Sequence, residues 1–333
     1  MQILSKTNFN FTRWRWHALA LSVLIIGAGL ATIVSRGGMP LGIDFSGGTV
    51  VIVRFDRALG DGELLNALGS LPGEKTVQRY GAEANNEWSI RLPQMIEREE
   101  GTSLEQGARA VVAALESSGV AGYEVQRTSI VGPVIGAELQ RKGIYATLTA
   151  LLGIMIYIAL RFRFTFAVGA IVATLHDILI VLVFLVWFGY DLSLNIIAAI
   201  LTITGYSVND TIVVFDRVRE NLRSQRRDRL EDVVNRSVND TLSRTVITAG
   251  TTFLAVLGLY MFGGEVLEGF AFTMLVGIVS GTYSTIFIAS AIAIILSGRK
   301  AGSAGRAGAP AAGAAAADGT APARPRRGRR AGR

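Results

Sequence analysis

Cysteine is absent from this chain of 333 residues, and histidine occurs only as His17 and His176. Without thiols there is no disulfide framework, no thiolate nucleophile and no Cys-based metal site. Two imidazoles cannot build a His-rich centre, so neither a metal nor a cofactor is expected. Charge is scarce too: Asp, Glu, Lys and Arg make up 18% of the residues, against 50% apolar, and mean hydropathy is +0.41. A soluble globule of this length needs more polar surface than that. The net charge of +7 is concentrated in the C-terminal tail and one loop. That placement fits cationic segments held on the cytoplasmic side of a membrane better than nucleic-acid binding, and no nucleic-acid partner is expected.

What the chain has instead is apolar runs. The first, Trp16 to Val34, follows Lys6, Arg13 and Arg15. Basic residues before an apolar stretch also describe a signal peptide. The run is nevertheless long enough to cross ~30 Å of hydrocarbon at ~1.5 Å per residue, and it reads as a retained helix. Further spans are expected at Ile144–Leu160, Phe164–Phe188, Leu194–Phe215, Leu242–Phe262 and Phe270–Leu296. The fold class is thus a polytopic α-helical membrane protein with six spans.

Between the first and second spans the character changes. Thr49 to Phe55 reads as a strand and Asp61 to Leu68 as a helix; short strands follow near Thr76–Tyr80 and Trp88–Leu92. Leu104 to Leu115 has helical spacing, and Tyr123 to Val131 closes as a strand. The order βαββαβ predicts a ferredoxin-like α/β domain. The expected organisation is residues 1–35 as N-terminus and first span, 36–142 as the α/β domain, 143–298 as the remaining bundle, and 299–333 as a disordered basic tail.

Orientation follows from short loops. The N-terminus, Arg161 and Arg163, the arginine-rich stretch Asp216 to Asp240, and Arg299 with Lys300 fall on one side of a six-span bundle. The opposite loops, Gly189–Ser193 and Gly263–Gly269, carry only Asp191, Glu265 and Glu268. The positive-inside rule places both termini in the cytoplasm and the α/β domain outside.

Ionisable residues within the spans cost on the order of 2.5–3.5 kcal/mol each at mid-helix, so each is a functional candidate. Asp210 lies near the cytoplasmic end of the fourth span, with Thr202, Tyr206 and Asn209 on roughly its face. Arg244 opens the fifth span, where Thr241, Thr245, Thr248 and Thr252 repeat at helical steps. Both charges enter from the same side. They could form a proton relay or a static buried ion pair that locks two helices, and the residues alone leave both readings open. Asp177 follows His176 in the third span; adjacent helical residues point about 100° apart, so the two are not expected to face each other.

Other signals are weaker. Ser-Val-Asn-Asp-Thr occurs at 207–211 and again at 237–241, where it is expected to cap the fifth span. Gly277 and Gly281 form a GxxxG spacing that reads as close helix packing. Gly69–Thr76 (GSLPGEKT) looks like a phosphate-binding loop but lacks one spacer residue and carries Glu74 before the lysine.

Several motifs converge: Gly42–Thr49 (GIDFSGGT), Gly132–Leu139 (GPVIGAEL), His176–Asp177, Tyr206–Asn221 (YSVNDTIVVFDRVREN) and Thr241–Thr245 (TLSRT). Together they closely resemble the SecF family, the smaller half of the SecDF accessory complex of the bacterial Sec protein translocase. The likeness runs from about residue 5 to 298 and leaves out the tail. It implies one half of a resistance-nodulation-division transporter fold, with the α/β domain in the periplasm and the spans in the inner membrane. It implies SecD as heterodimer partner, the SecYEG channel with YajC or YidC beside it, an unfolded secreted polypeptide as the chain acted upon, and membrane lipids around the bundle. It further implies use of the proton motive force in late steps of export, without nucleotide hydrolysis. By matching positions, Asp210 and Arg244 would serve proton movement, with Asp177 a lesser carry-over; helical spacing sets Tyr206, Asn209 and Thr248 as the supporting polar face. A lipid or small-molecule exporter would instead require an apolar cleft in the external domain, and a membrane enzyme more convergent groups than His176 and Asp177.

Overall fold

A computed structural model describes residues 7–71, 75–80, 85–92, 103–225 and 228–297. The 299–333 tail, Lys6, Arg226, Arg227 and the middle of GSLPGEKT lie outside the described residues. After a short 3-10 turn at Thr12–Trp14 the chain enters α1 (Arg15–Ser35) and then a single helical turn, α2 (Ile43–Ser46). The α/β unit follows as β1 (Gly48–Phe55), α3 (Asp61–Ala67), β2 (Thr76–Tyr80), β3 (Glu87–Leu92), α4 (Ser103–Ser117) and β4 (Tyr123–Val131). Five long helices complete the fold: α5 (Pro133–Arg161), α6 (Phe164–Phe188), α7 (Leu194–Ser224), α8 (Leu230–Phe262) and α9 (Glu265–Tyr283). The last continues through a π-helical turn at Ser284–Ala289. Among the described residues, six helices are long and apolar enough to cross a bilayer.

The sheet order is β2-β3-β1-β4 with every pairing antiparallel, which is the ferredoxin-like arrangement the βαββαβ order predicts. Alternation explains its core. Val51, Val53 and Phe55 of β1 and Trp88, Ile90 and Leu92 of β3 point to one face, where they meet Leu64 and Leu68 together with Val111 and Leu115. Burying each such side chain contributes roughly 1.5–3 kcal/mol. The other face of the sheet, with Ser89, Arg91, Arg127 and Ser129, overlooks the α6–α7 and α8–α9 connections across a cleft of about 640 Å³.

Three contacts hold the unit to this end of the bundle. Leu41 bridges to Leu192, Arg91 pairs with Asp191, and Asp44 Oδ2 accepts from the Leu194 backbone N–H at 2.9 Å. The last satisfies an orphan donor at the start of α7 and sets a carboxylate on the positive end of its dipole. Gly47 and Gly48 then turn the chain into β1 at φ of 69° and 116°, values that only glycine adopts freely.

The opposite end departs from the expectation of a long arginine-rich loop. Helix α7 runs on to Ser224 and α8 starts at Leu230, so most of Asp216–Asp240 is helical. Dense charge between apolar runs predicts a loop, yet Arg and Glu are good helix formers once a helix has left the bilayer. Arg217 meets Asp240 at 2.8 Å and Arg161 meets Asp216 at 2.9 Å, tying these extensions together. The second Ser-Val-Asn-Asp-Thr therefore lies inside α8 and caps nothing; the residue before the helix is Arg229. Its Asn239, with Asn235 one turn earlier, binds the N-terminal segment: Phe9 N–H donates to Asn239 Oδ1 at 2.9 Å and Phe11 N–H to Asn235 Oδ1 at 2.8 Å.

Candidate functional site

Helix α7 is the centre of the bundle, packed on α6, α8 and α9. Gly277 and Gly281 let α9 approach it closely. A Cβ at Gly277 would sit 2.3 Å from Ile203 Cγ1, and one at Gly281 would sit 2.9 Å from Ser207 Cβ. The GxxxG spacing thus packs helices, as read from the sequence.

That approach brings hydroxyls onto Asp177, which is 2% exposed. Its carboxylate accepts from Ser207 on α7 at 2.6 Å, from Ser280 on α9 at 2.7 Å and from Ser284 in the π turn at 2.8 Å. His176 Nδ1 lies 3.1 Å from the same carboxylate, so the adjacent pair does meet. The expectation that they diverge fails because a 100° separation of Cβ directions is small enough for an imidazole to swing back over its neighbour. Hydrogen bonds to a charged acceptor are worth about 1.5–3 kcal/mol each. The three from serine offset the several kcal/mol that desolvating one carboxylate costs. From His176 the chain of contacts continues: Nε2 lies 2.9 Å from Ser22 Oγ, Ser22 lies 3.2 Å from Tyr283 Oη, and Tyr283 donates to the Ala18 carbonyl at 2.7 Å. Helices α1, α6, α7 and α9 are thereby stitched in the apolar layer.

Asp210 sits elsewhere. It lies one turn beyond Ser207 and about 60° round the helix, on the seam between the packed and the open faces of α7. Thr245 Oγ1 donates to its Oδ1 at 2.8 Å, while Oδ2 is buried without a hydrogen-bond partner among the described residues. The Tyr206 hydroxyl, one turn earlier on the same face, is also buried and unpartnered among the described residues. Helix α7 continues for roughly four turns beyond Asp210, farther than the expected span.

No ion pair within 4 Å joins Arg244 to Asp210 among the described residues: Thr245 takes the position facing the carboxylate, its neighbour points about 100° away, and the Arg244 charge acts on Asp210 from farther off. Arg244 is exposed, as are Asn209, Thr202 and Thr248. The hydroxyl stripe does not form a network either: Thr202 donates to Ala198 O at 2.7 Å and Thr248 to Arg244 O at 3.0 Å within their own helices. Asp177, Asp210 and Arg244 are thus not gathered into one cluster. Among the described residues no three His, Asp or Glu side chains converge as a metal cage requires.

Sequence reasoning missed Ser22, Ser280, Ser284 and Tyr283. Serine and tyrosine are common in apolar helices, and only the four-residue step from Ser280 to Ser284 hinted at a shared face. At the domain end, Tyr190 donates to Glu268 at 2.7 Å and stacks on Phe272 at 4.6 Å; burial, and then its bonds to Tyr260 and Glu268, hold its phenol above the ordinary tyrosine range.

Residues 111–299 match the family model described as protein export membrane protein SecD/SecF, C-terminal, and residues 36–58 match the SecD/SecF GG motif. The chain is 44% identical over 308 residues to the protein translocase subunit SecF of Rhodothermus marinus, covering 90% of this chain and 97% of that one. Against the SecF of Vibrio alginolyticus it is 38% identical over 301 residues, covering 90% and 93%. Among solved structures, SecDF from Thermus thermophilus superposes with a TM-score of 0.78 at 35% identity. That match covers 88% of this chain but 39% of the SecDF chain, so this chain spans well under half of the solved polypeptide. Six apolar spans, a four-stranded domain after the first of them, and these likenesses agree: the chain is a multi-pass membrane protein that belongs to the SecF family of protein translocase subunits.

Proposed function

We propose that this chain, assembled with SecD, uses the proton motive force to promote late steps of protein export across the bacterial inner membrane. The observation that carries the reading is Asp210: a carboxylate within a span, half served by Thr245 and half without a partner among the described residues, on a helix face that is open in this chain. Isolated six-helix bundles have no reason to keep such a group at the cost noted above. An interface with a second membrane subunit supplies the reason, and a carboxylate with one free oxygen can take up and release a proton. Arg244, exposed beside the same seam, sets the local field, and Asp177 contributes a second carboxylate in the bundle. Tyr206, Asn209 and Thr248 belong to the face that meets SecD.

The domain and the 189–193 loop share one end; the basic residues Arg15, Arg161, Arg163, Arg219 and Arg223 share the other. By the positive-inside rule the basic end is cytoplasmic and the domain periplasmic. There it would act on an unfolded secreted chain leaving the SecYEG channel, with YajC or YidC as neighbours and lipids around the spans. Work is drawn from the ion gradient, without nucleotide hydrolysis.

Inverted vesicles carrying Asp210→Asn should assemble the complex with SecD at normal levels yet lose the stimulation of export by the proton motive force. Normal stimulation would reduce Asp210 to a structural group.

A further inference from the structure

The geometry points to His176 and Asp177 as a buried imidazolium–carboxylate pair, a second protonation site inside the bundle, distinct from Asp210. The argument is a count of protons. Tyr283 has one, and the Ala18 carbonyl, which can only accept, takes it at 2.7 Å. In the 3.2 Å contact between Tyr283 and Ser22 the donor must then be Ser22. With that proton committed, Ser22 Oγ can only accept in its 2.9 Å contact with His176 Nε2, so Nε2 carries a proton. On the other side of the ring one proton must lie in the 3.1 Å contact between Nδ1 and Asp177, because two lone pairs would repel there. Asp177 already accepts from Ser207, Ser280 and Ser284, and three donors favour the ionised carboxylate, which places that proton on Nδ1. Both ring nitrogens are protonated and the imidazole is charged.

Two further features agree. The Tyr283 ring stacks on the His176 ring with centroids 5.9 Å apart, placing a π face against the cation. A fissure of about 390 Å³ lined by Leu21, Ile25, Ile180, Phe184 and Val279 adjoins the pair; it is apolar, so the protons must be satisfied by protein groups. The groups facing the pair are Ser22 from α1, Ser207 from α7, and Ser280, Tyr283 and Ser284 from α9 and its π turn. None of these is charged, so each half of the pair is the other's counter-ion.

Loss of one proton re-aims the network. A neutral His176 would take the Ser22 proton at Nε2 and break the Ser22 link to Tyr283, leaving the Tyr283 bond to the Ala18 carbonyl as the polar tie between α1 and α9 at that level. Its place in transport rests on the proton-driven reading above, whereas the charge on His176 does not.

With His17, which is exposed, replaced by Gln, His176 is the only histidine and can be followed alone. The His17→Gln chain, labelled with ¹⁵N-histidine and assembled with SecD in lipid bilayers, would be examined by solid-state NMR from about pH 5 to pH 9. The expected spectrum at neutral pH shows two protonated ring nitrogens. A neutral imidazole across that range overturns the proposal. In Tyr283→Phe the Ser22 proton is free to reach Nε2, so the spectrum at neutral pH should show one protonated ring nitrogen in place of two; an unchanged spectrum overturns the proton count. An imidazolium found together with normal pH-gradient-driven export in Asp210→Asn would remove the transport reading and leave the charge assignment standing.

Discussion

Ser207 and Asp210 lie one turn apart on α7 and serve different networks: Ser207 gives its proton to Asp177 at 2.6 Å inside the bundle, whereas Asp210 takes one from Thr245 at 2.8 Å on the seam with α8. The first network is closed, with every carboxylate oxygen of Asp177 occupied. The second is half open. A single helix therefore carries both a locked polar centre and a carboxylate with an unused oxygen, and the two should respond differently to substitution.

Asp177→Asn should destabilise the bundle by about 3 kcal/mol, because removing one partner of a buried pair leaves the other uncompensated. An amide nitrogen would also face hydroxyls that now donate. Thermal or denaturant unfolding in detergent checks this; a loss below about 0.5 kcal/mol would mean the serines do not hold the helices together.

Gly277→Ala should cost roughly 1–3 kcal/mol, since its Cβ would fall 2.3 Å from Ile203 Cγ1 and force α9 away from α7. Gly258→Ala is the control. Nothing lies within 4 Å of its added methyl, and the higher helix propensity of alanine should leave stability unchanged or raise it by about 0.5–1 kcal/mol. Equal effects at the two positions would contradict the close packing.

Thr245→Val keeps shape but removes the hydroxyl that serves Asp210. Stability should fall by about 1 kcal/mol, the ordinary worth of one hydrogen bond, while export falls by much more. Arg244→Lys retains the charge and loses the planar fork, so any bidentate contact to a partner carboxylate is lost with it. Export unchanged in both variants would detach this seam from function.

Arg91→Ala removes the pair with Asp191 that joins β3 to the α6–α7 connection. Amide exchange at Gly42, whose N–H is bonded to Leu192 O at 2.7 Å, should speed several-fold as the junction opens more often. Exchange within the sheet core, at Val51 or Ile90, should not change. Uniform acceleration would mean that the domain is being unfolded, not unclasped.

Much of this was legible in the sequence. Six apolar runs set the spans, and β-branched alternation located β2 and β4 to the residue. What could not be read depends on which side chains three-dimensional packing brings together. Ser22, Ser280 and Ser284 are separated from Asp177 by 100 residues or more and look like ordinary small residues on apolar helices. Arg244 invited pairing with Asp210, and only the helical phase of α8 shows that Thr245 occupies that direction. The charged stretch after Phe215 reads as loop in the sequence because hydropathy reports where a membrane ends and says nothing of where a helix ends.

Proton flux is the most direct test. Liposomes containing the complex of this chain with SecD, loaded with a pH-sensitive dye and given an inward proton gradient, should acidify when a translocating polypeptide is engaged. Asp210→Asn, assembled to the same level, should abolish that component. Flux in the variant equal to that of the unaltered complex would contradict proton transfer through Asp210.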